Sequence, residues 1–516
     1  MARQPLRTVR ATSAQLATYV GLSGEPVFNT DTGVTHWQDG QTPGGVPSVR
    51  PDRLGDVTVA PRYATVQRPL SDHFGDMVNL SDYCPGNAID NDQSGLVKAV
   101  AAAAGKPLLV VPGKQFRPTA TVPVTGGAPF TVFGYGTGFG PGVAVQDEAR
   151  TSLIRPIFSD GPVFDVQGNY PCLFKDFRVD LHPNFRNGLP GSAGNNGPAF
   201  RIRGPNGGVN SSTVWDNVAI VGKDACIDMQ GSFTPTIRGC KFMDWSGKAV
   251  SIRTYPGVEG NGGEITGCNW FGQGMNPAGS GACLYLEVGY TKVHSNFMGG
   301  GAYAVEIAVK GSNAGDLNIY DNTCEDQYTG TFRLTSQDGS TLTVFIERNW
   351  MSILSPAYAS TFQQHIIVED TGADWLVSST IKGNRFRSAL TPGSRYIWIQ
   401  SGQDLDVDDN KLINIGPNSP RGIDVFSPVS SARLKAPIKV RRNGYYGTFS
   451  SRYAFTPDVV SFEHYDPDMI VGQLGDGALG AVRDGSRCYA IDGNPATFGN
   501  GGTGAFYRRQ AGRWIP

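Results

Sequence analysis

Glu287 and Glu306 lie in two short stretches that alternate apolar and polar residues, Leu284-Tyr-Leu-Glu287 and Val305-Glu-Ile307. If those stretches are neighbouring strands, the two carboxylates fall diagonally, with backbones roughly 7–8 Å apart. Carboxyl pairs about 5–9.5 Å apart split acetals: one protonates the leaving oxygen while the other attacks or activates water. Like charges at that range push two pKa values apart and leave one acid and one base. Tyr285 and Arg333 flank the pair, and ion pairs Arg253–Glu287 and Glu306–Arg333 on a soluble outer face are the competing use of the same residues. A second group, Glu369, Trp398, Gln400 and Asp424, sets carboxylates beside an aromatic face, with apolar Ile367 next to it as for a subunit contact. A third, Asp321, Glu325, Asp326 and Glu347, is oxygen-rich enough for acid–base work or calcium, or is a set of solvated turn residues. His294, between Lys292 and Glu264, suits a base beside a cation or an ordinary surface position. The six histidines form no metal constellation, the eight cysteines follow no zinc or disulfide spacing, and G-x-S-x-G is absent. Neither metal nor cofactor is expected, and the thiols are expected to be free and buried.

What must position these residues is a repeat. An aliphatic residue followed three positions later by Asn or Cys occurs at Val214/Asn217, Ile237/Cys240, Ile265/Cys268, Val293/Asn296, Ile319/Asn322, Ile346/Asn349, Ile381/Asn384, Val407/Asn410 and Val440/Asn443. The phrase returns roughly every 28 residues, the period of a solenoid. Mostly polar residues alternate with the aliphatic ones, as in a half-buried strand, so the stacked repeats predict an all-β parallel β-helix with the Asn side chains in an amide ladder at a turn. Asn suits that turn because it tolerates the left-handed conformation. A second strand follows the ladder residues from Cys240 to Asn410: Val250-Ser-Ile252, Leu284-Tyr-Leu286, Val305-Glu-Ile307, Phe332-Arg-Leu334, Ile366-Ile-Val368, Ile397-Trp-Ile399 and Ile423-Asp-Val425. Its outward column reads Ser251, Tyr285, Glu306, Arg333, Ile367, Trp398 and Asp424.

A formal net charge of −1 gives no basis for a nucleic-acid partner, and no apolar run reaches the length of a membrane span. The opening MARQPLRTVRATSAQLATYV lacks the apolar core of a signal peptide, so synthesis in a cytoplasm without classical export is expected. The expected organisation is a small β module over 1–50 with a short helix near Ser13 to Tyr19, a linker over 51–72, and a β-helix entry over 73–140. That entry carries a capping helix from Ser94 to Ala104, capped by Asp92 or Ser94. The solenoid body then fills 141–454, with rungs from about Leu173, and a C-terminal β extension, either a trimerisation element or a ligand-binding tip, fills 455–516.

Two segments carry a family resemblance. GEPVFNTDTGVTHWQDGQTPGG, within Ser13 to Gly45, resembles the N-terminal module by which phage tail fibres and tailspikes join the virion. From Phe74 to Gly136 the chain is similar to the entry of pectate-lyase-like right-handed β-helices, through Phe74-Gly75, Asp90/Asp92, Ala101 to Ala104, Pro112-Gly113 and Gly134 to Gly136. It departs from them between Asp76 and Ala88, where a longer stretch with Cys84 replaces a short turn. Asp90 and Asp92 inherit no catalytic role and read as turn and cap residues. The resemblance implies a homotrimeric tailspike of the phage virion, assembled in the host cytoplasm and joined to tail or baseplate proteins through its N-terminus. Its outer face would bind bacterial capsule or lipopolysaccharide and depolymerise it by hydrolysis, a lyase being the weaker option. Glu287 and Glu306 are then the catalytic candidates, and Tyr285, Arg333, Trp398 and Glu369 the saccharide-binding ones. A non-catalytic fibre or adhesin, or a structural spacer, is the alternative on the same fold.

Overall fold

The computed structural model describes residues 9–47, 58–59, 68–69, 76–138, 151–168, 171–181, 194–204, 210–254, 262–272, 281–309, 315–336, 342–354, 362–369, 377–428, 434–455, 460–464, 487–490, 505–510 and 513–515. Phe74-Gly75, most of the 51–72 linker and most of the segment after 455 lie outside them. The contacts divide the chain into two units, 1–78 and 79–516.

In the first unit, Val9–Ala11 pairs parallel with Pro26–Asn29, which pairs antiparallel with Thr35–Trp37, and that strand with Val46–Pro47. A one-turn helix, Ser13–Leu16, starts at a capping box between Thr12 and Gln15. Ala11, Leu16 and Val27 make its small core, with Tyr19 against it.

The second unit is a right-handed parallel β-helix of three sheets. Each coil gives them one strand in turn, as in Thr291–His294, Phe297–Gly299 and Tyr303–Val309. Three sheets rather than two is the main departure from the sequence pattern. The missed sheet begins directly after the ladder residue. Coils also start earlier than Leu173: Pro107–Leu109, Lys114–Phe116 and Val122–Thr125 form the first. In the first sheet Ile237, Ile265, Val293, Ile319, Ile346, Ile381, Val407 and Val440 stack in register and are fully buried. Each such side chain taken from water is worth about 2 kcal/mol. The first proposed repeat is one residue out: Trp215, not Val214, occupies the column, because it pairs with Ile237.

The ladder is continuous from Asn296. Its Nδ2 donates to Asn322 Oδ1 at 3.0 Å, and the pattern repeats from Asn322 to Asn349, Asn384, Asn410 and Asn443 at 2.9–3.1 Å. Each Nδ2 also donates backwards, as from Asn349 to the Ile319 carbonyl at 2.9 Å, so one amide ties three coils. The left-handed residue, however, is the one before the ladder position: Gly239, Gly267, Ser295, Asp321, Arg348, Gly383, Asp409 and Arg442 have φ between 49° and 64°. Asn is there for its hydrogen bonds, not for its φ. Asn217, at φ 52°, occupies the left-handed place itself, which is why its repeat is offset.

The helix Gln93–Ala102 buries Leu96, Ala99 and Val100 and packs on Val122–Thr125, the first strand of the third sheet. Asp92 stands at its N-cap without a side-chain cap bond. It accepts the Arg117 N–H at 2.7 Å instead, while Asp90 takes the Asn87 amide. His365 is fully buried between the Thr331 and Ser388 hydroxyls at 2.8 and 2.6 Å, and burial drops its pKa to about 3, so the imidazole is neutral. Seven described cysteines are buried and free. Among the described residues no helix is long and apolar enough to cross a membrane.

Candidate functional site

On the third sheet the outward column is as spaced in the sequence: Ser251, Tyr285, Glu306, Arg333, Ile367, Trp398 and Asp424 pair rung to rung. The Tyr285 hydroxyl donates to Glu287 Oε1 at 2.9 Å, and the Thr254 N–H and hydroxyl reach its Oε2 at 3.2 Å. Arg333 lies between two carboxylates, 2.9 Å from Glu306 Oε1 and 2.7 Å from Glu369 Oε2. Lys248 Nζ stands 3.8 Å from Glu306 Oε2 and 3.0 Å from the centre of the Tyr285 ring. Arg253 pairs with Asp228 rather than forming the expected bond to Glu287. Burial, and then Glu287, push the Tyr285 hydroxyl pKa upward. The structure therefore gathers Tyr285, Glu287, Glu306, Arg333 and Glu369 into one network, but closes it over: Tyr285, Glu287 and Ile367 are each 6% exposed.

Trp398 is half-buried. Its ring lies 4.0 Å from the Arg395 guanidinium and 5.7 Å from Phe426, and its indole N–H donates to the Phe426 carbonyl. Asp424 is fully buried, where desolvation raises its pKa against the opposing pull of Arg395 and Arg421. Gln400 is buried as well. His294 sits on the first sheet, bonded to Glu264 at 3.0 Å and stacked on Tyr320.

The four-acid group does not converge. Asp321 and Glu347 share Arg348 at the ladder corner. Glu325 and Asp326 lie at the other end of the strand Thr323–Glu325, roughly 13 Å along the chain by strand rise. Among the described residues no three His, Cys, Asp or Glu side chains gather as a metal site.

Glu325 belongs to the second sheet, whose outer face has a different character. One outward column runs Asn269, Phe297, Thr323, Trp350, Arg385, Lys411, and the next Phe271, Gly299, Glu325, Ser352, Arg387, Ile413. Phe271 and Phe297 are half-buried with centroids 5.4 Å apart, and Trp350 is half-buried with Arg385 at 4.9 Å from its ring. Between them Glu325 has Gly299 on one side and Ser352 on the other, a floor without bulky side chains. No cation pairs with it among the described residues, and burial, then Asp326, raise its pKa above the ordinary carboxyl range. Asp326, in a left-handed turn, accepts the Leu354 N–H at 2.7 Å. The two adjacent carboxyls are thus differently placed, Glu325 on the outer face of the strand and Asp326 bonded to a backbone amide at the corner.

Three coils before Asp326, at the same corner, is Asp244. It is 5% exposed, its Oδ1 has no hydrogen-bond partner among the described residues, and burial lifts its pKa to about 7. Its folded pKa lies above the unfolded value, so folding is unpenalised below about pH 4 and loses stability as pH rises through 7. Asp244→Asn, which keeps a side chain suited to φ 48°, should raise stability by roughly 3 kcal/mol near pH 8 and leave it unchanged near pH 4. Thermal midpoints at the two pH values check this.

Phe271, Phe297, Trp350 and Asp244 were not among the sequence candidates. A signal for their sheet is present: two residues after each ladder position stand Phe242, Trp270, Met298, Cys324, Met351, Phe386 and Leu412, all fully buried. That fixed offset sorts their neighbours outward.

No protein-family model matches the chain, and no curated protein matches it. Solved structures do. A tailspike protein of the E. coli bacteriophage HK620, a glutamate-to-glutamine variant in complex with a hexasaccharide, superposes with a TM-score of 0.54 at 12% identity over 85% of each chain. A double variant of the same tailspike with a pentasaccharide gives 0.53 at 13% identity over 81% of each chain. At such identity the likeness speaks to architecture: the chain has the tailspike-like right-handed parallel β-helix fold.

Proposed function

We propose that the chain is a bacteriophage tailspike that binds a bacterial surface polysaccharide, capsule or lipopolysaccharide, and depolymerises it by glycosidic hydrolysis. The observation that carries this is the half-buried strip on the second sheet, where Glu325 and Asp326 lie among Phe271, Phe297 and Trp350. Partly exposed aromatic faces pack against the C–H faces of sugars, and the strip from Phe271 to Trp350 crosses three coil steps, roughly 14 Å. Glu325, whose pKa burial raises, is the general acid, and Asp326 the partner carboxyl. The resolved solenoid neighbours support the substrate class, since the HK620 tailspike is seen with oligosaccharides. Homotrimerisation, attachment to tail or baseplate proteins through the first unit, and assembly in the host cytoplasm complete the proposal.

A second reading places the chemistry at Glu287 and Glu306, with Tyr285, Arg333, Glu369 and Trp398 holding saccharide. It is favoured by the fixed Tyr285–Glu287 and Arg333–Glu306 contacts on adjacent coils. Purified protein incubated with capsule and lipopolysaccharide should release oligosaccharides, read as a fall in polymer size with new reducing ends. Polymer bound but unchanged in size would leave a receptor-binding adhesin. Unsaturated product ends would mark a lyase.

A further inference from the structure

The cations of the solenoid are mostly neutralised on the protein itself. On the third sheet Arg203 pairs with Asp165, Arg253 with Asp228, Arg333 with Glu306 and Glu369, and Arg395 and Arg421 with Asp424. On the first sheet Arg238 pairs with Asp216, Arg348 with Asp321 and Glu347, and Arg441 with Asp406. On the second sheet Arg155 and Arg178 pair with Asp180, but its later coils break this pattern. Arg385 and Arg387 project outward from one strand, Lys411 stands in register with Arg385 on the next, and all three are exposed. Among the described residues no carboxylate pairs with any of them. Three like charges on adjacent outward positions repel one another, and among the described residues no carboxylate offsets that cost.

The cluster is continuous with the aromatic strip. Trp350 precedes Arg385 in its column with the guanidinium 4.9 Å from the ring, and Arg387 follows Glu325 and Ser352 in the other, two coils or roughly 10 Å from Glu325. A chain lying along the coils over Phe271, Phe297 and Trp350 therefore runs onto these cations. Building on the polysaccharide reading above, we infer that the polymer is anionic, and that Arg385, Arg387 and Lys411 bind an acidic substituent on it. Planar guanidinium groups take a carboxylate or a phosphate through paired N–H donors, so both sources share the chemistry.

The test uses the full-length protein on an array of purified neutral and acidic bacterial capsular polysaccharides and lipopolysaccharide O-chains. Polymers retained by the wild type should be acidic, with affinity falling as salt rises. The Arg385→Ala/Arg387→Ala double variant should bind them about tenfold or more weakly, and the Arg385→Lys/Arg387→Lys variant should recover part of the loss. Carbodiimide reduction of the retained polymer abolishes binding if the acid is a carboxylate, and hydrofluoric acid dephosphorylation does so if it is a phosphodiester. Both treatments act on the ligand, so they test the inference even where a variant fails to fold. Equal binding after both treatments, or retention of a neutral polymer by wild type and double variant alike, overturns the anionic assignment and leaves the polysaccharide reading standing. Retention of no polymer overturns both.

Discussion

Glu325→Gln should lower polymer cleavage by roughly 10²–10⁴-fold while leaving polymer retention within about twofold. Glutamine keeps the size and polarity of the side chain but has no proton to give a leaving oxygen, so chemistry is lost without the strip. The carboxyl is raised by burial and by Asp326, which sets the direction of the pH profile. Turnover should hold below the raised pKa and fall as pH climbs through it, because the acid is then ionised. Glu287→Gln and Glu306→Gln should each leave turnover within about twofold, since those carboxylates are occupied by Tyr285 and Thr254, and by Arg333 and Lys248. The opposite result, with cleavage lost in the latter two and kept in Glu325→Gln, would move the site to the third sheet. Rates of oligosaccharide release and retention of the uncut polymer measure both quantities.

Asn349→Leu should cost about 4–6 kcal/mol, read as a drop in the urea midpoint of the solenoid. Asn349 is 1% exposed and its side chain makes four bonds. Oδ1 accepts the Asn322 N–H and Nδ2–H at 3.0 and 2.9 Å, and Nδ2 donates to the Ile319 carbonyl and Asn384 Oδ1 at 2.9 and 3.1 Å. Leucine removes all four and strands buried groups on both neighbouring coils, where water does not reach them. Burial of the added methyl groups offsets part of this, but overpacking a filled turn takes some of it back. The same change at exposed Asp409, one residue before a ladder position, disturbs no ladder bond and should cost far less.

The solenoid was legible because its strongest columns repeat at fixed offsets. The Ile/Val positions of the first sheet and the Ser251-to-Asp424 column of the third needed only alternation and a count from the ladder. The second sheet escaped because its strands are as short as Phe297–Gly299, too brief to show alternation within one coil. For the same reason closeness in sequence groups Glu325 with Asp321 and Glu347, though a strand separates them. Burial was also invisible. Trp398 and Glu287 face outward by parity, as expected, yet Glu287 is buried and Trp398 half-buried. Nor does sequence distinguish Asp244, whose proton is retained because of where the corner folds, from any other aspartate near a turn.

The ladder also gives the second unit a mechanical gradient. From Asn296 to Asn443 each amide grips the coil behind and the coil ahead, so a pull along the axis is divided among overlapping ties. Cys240 and Cys268 hold the corresponding places in the preceding coils with weaker ties: the Cys268 N–H donates to Asn296 Oδ1 at 2.9 Å and its thiol to the Ile237 carbonyl at 3.5 Å. A rod built this way yields first where the thiols replace the amides. The coils carrying Glu325, Trp350 and Arg385 lie within the stretch tied by amides.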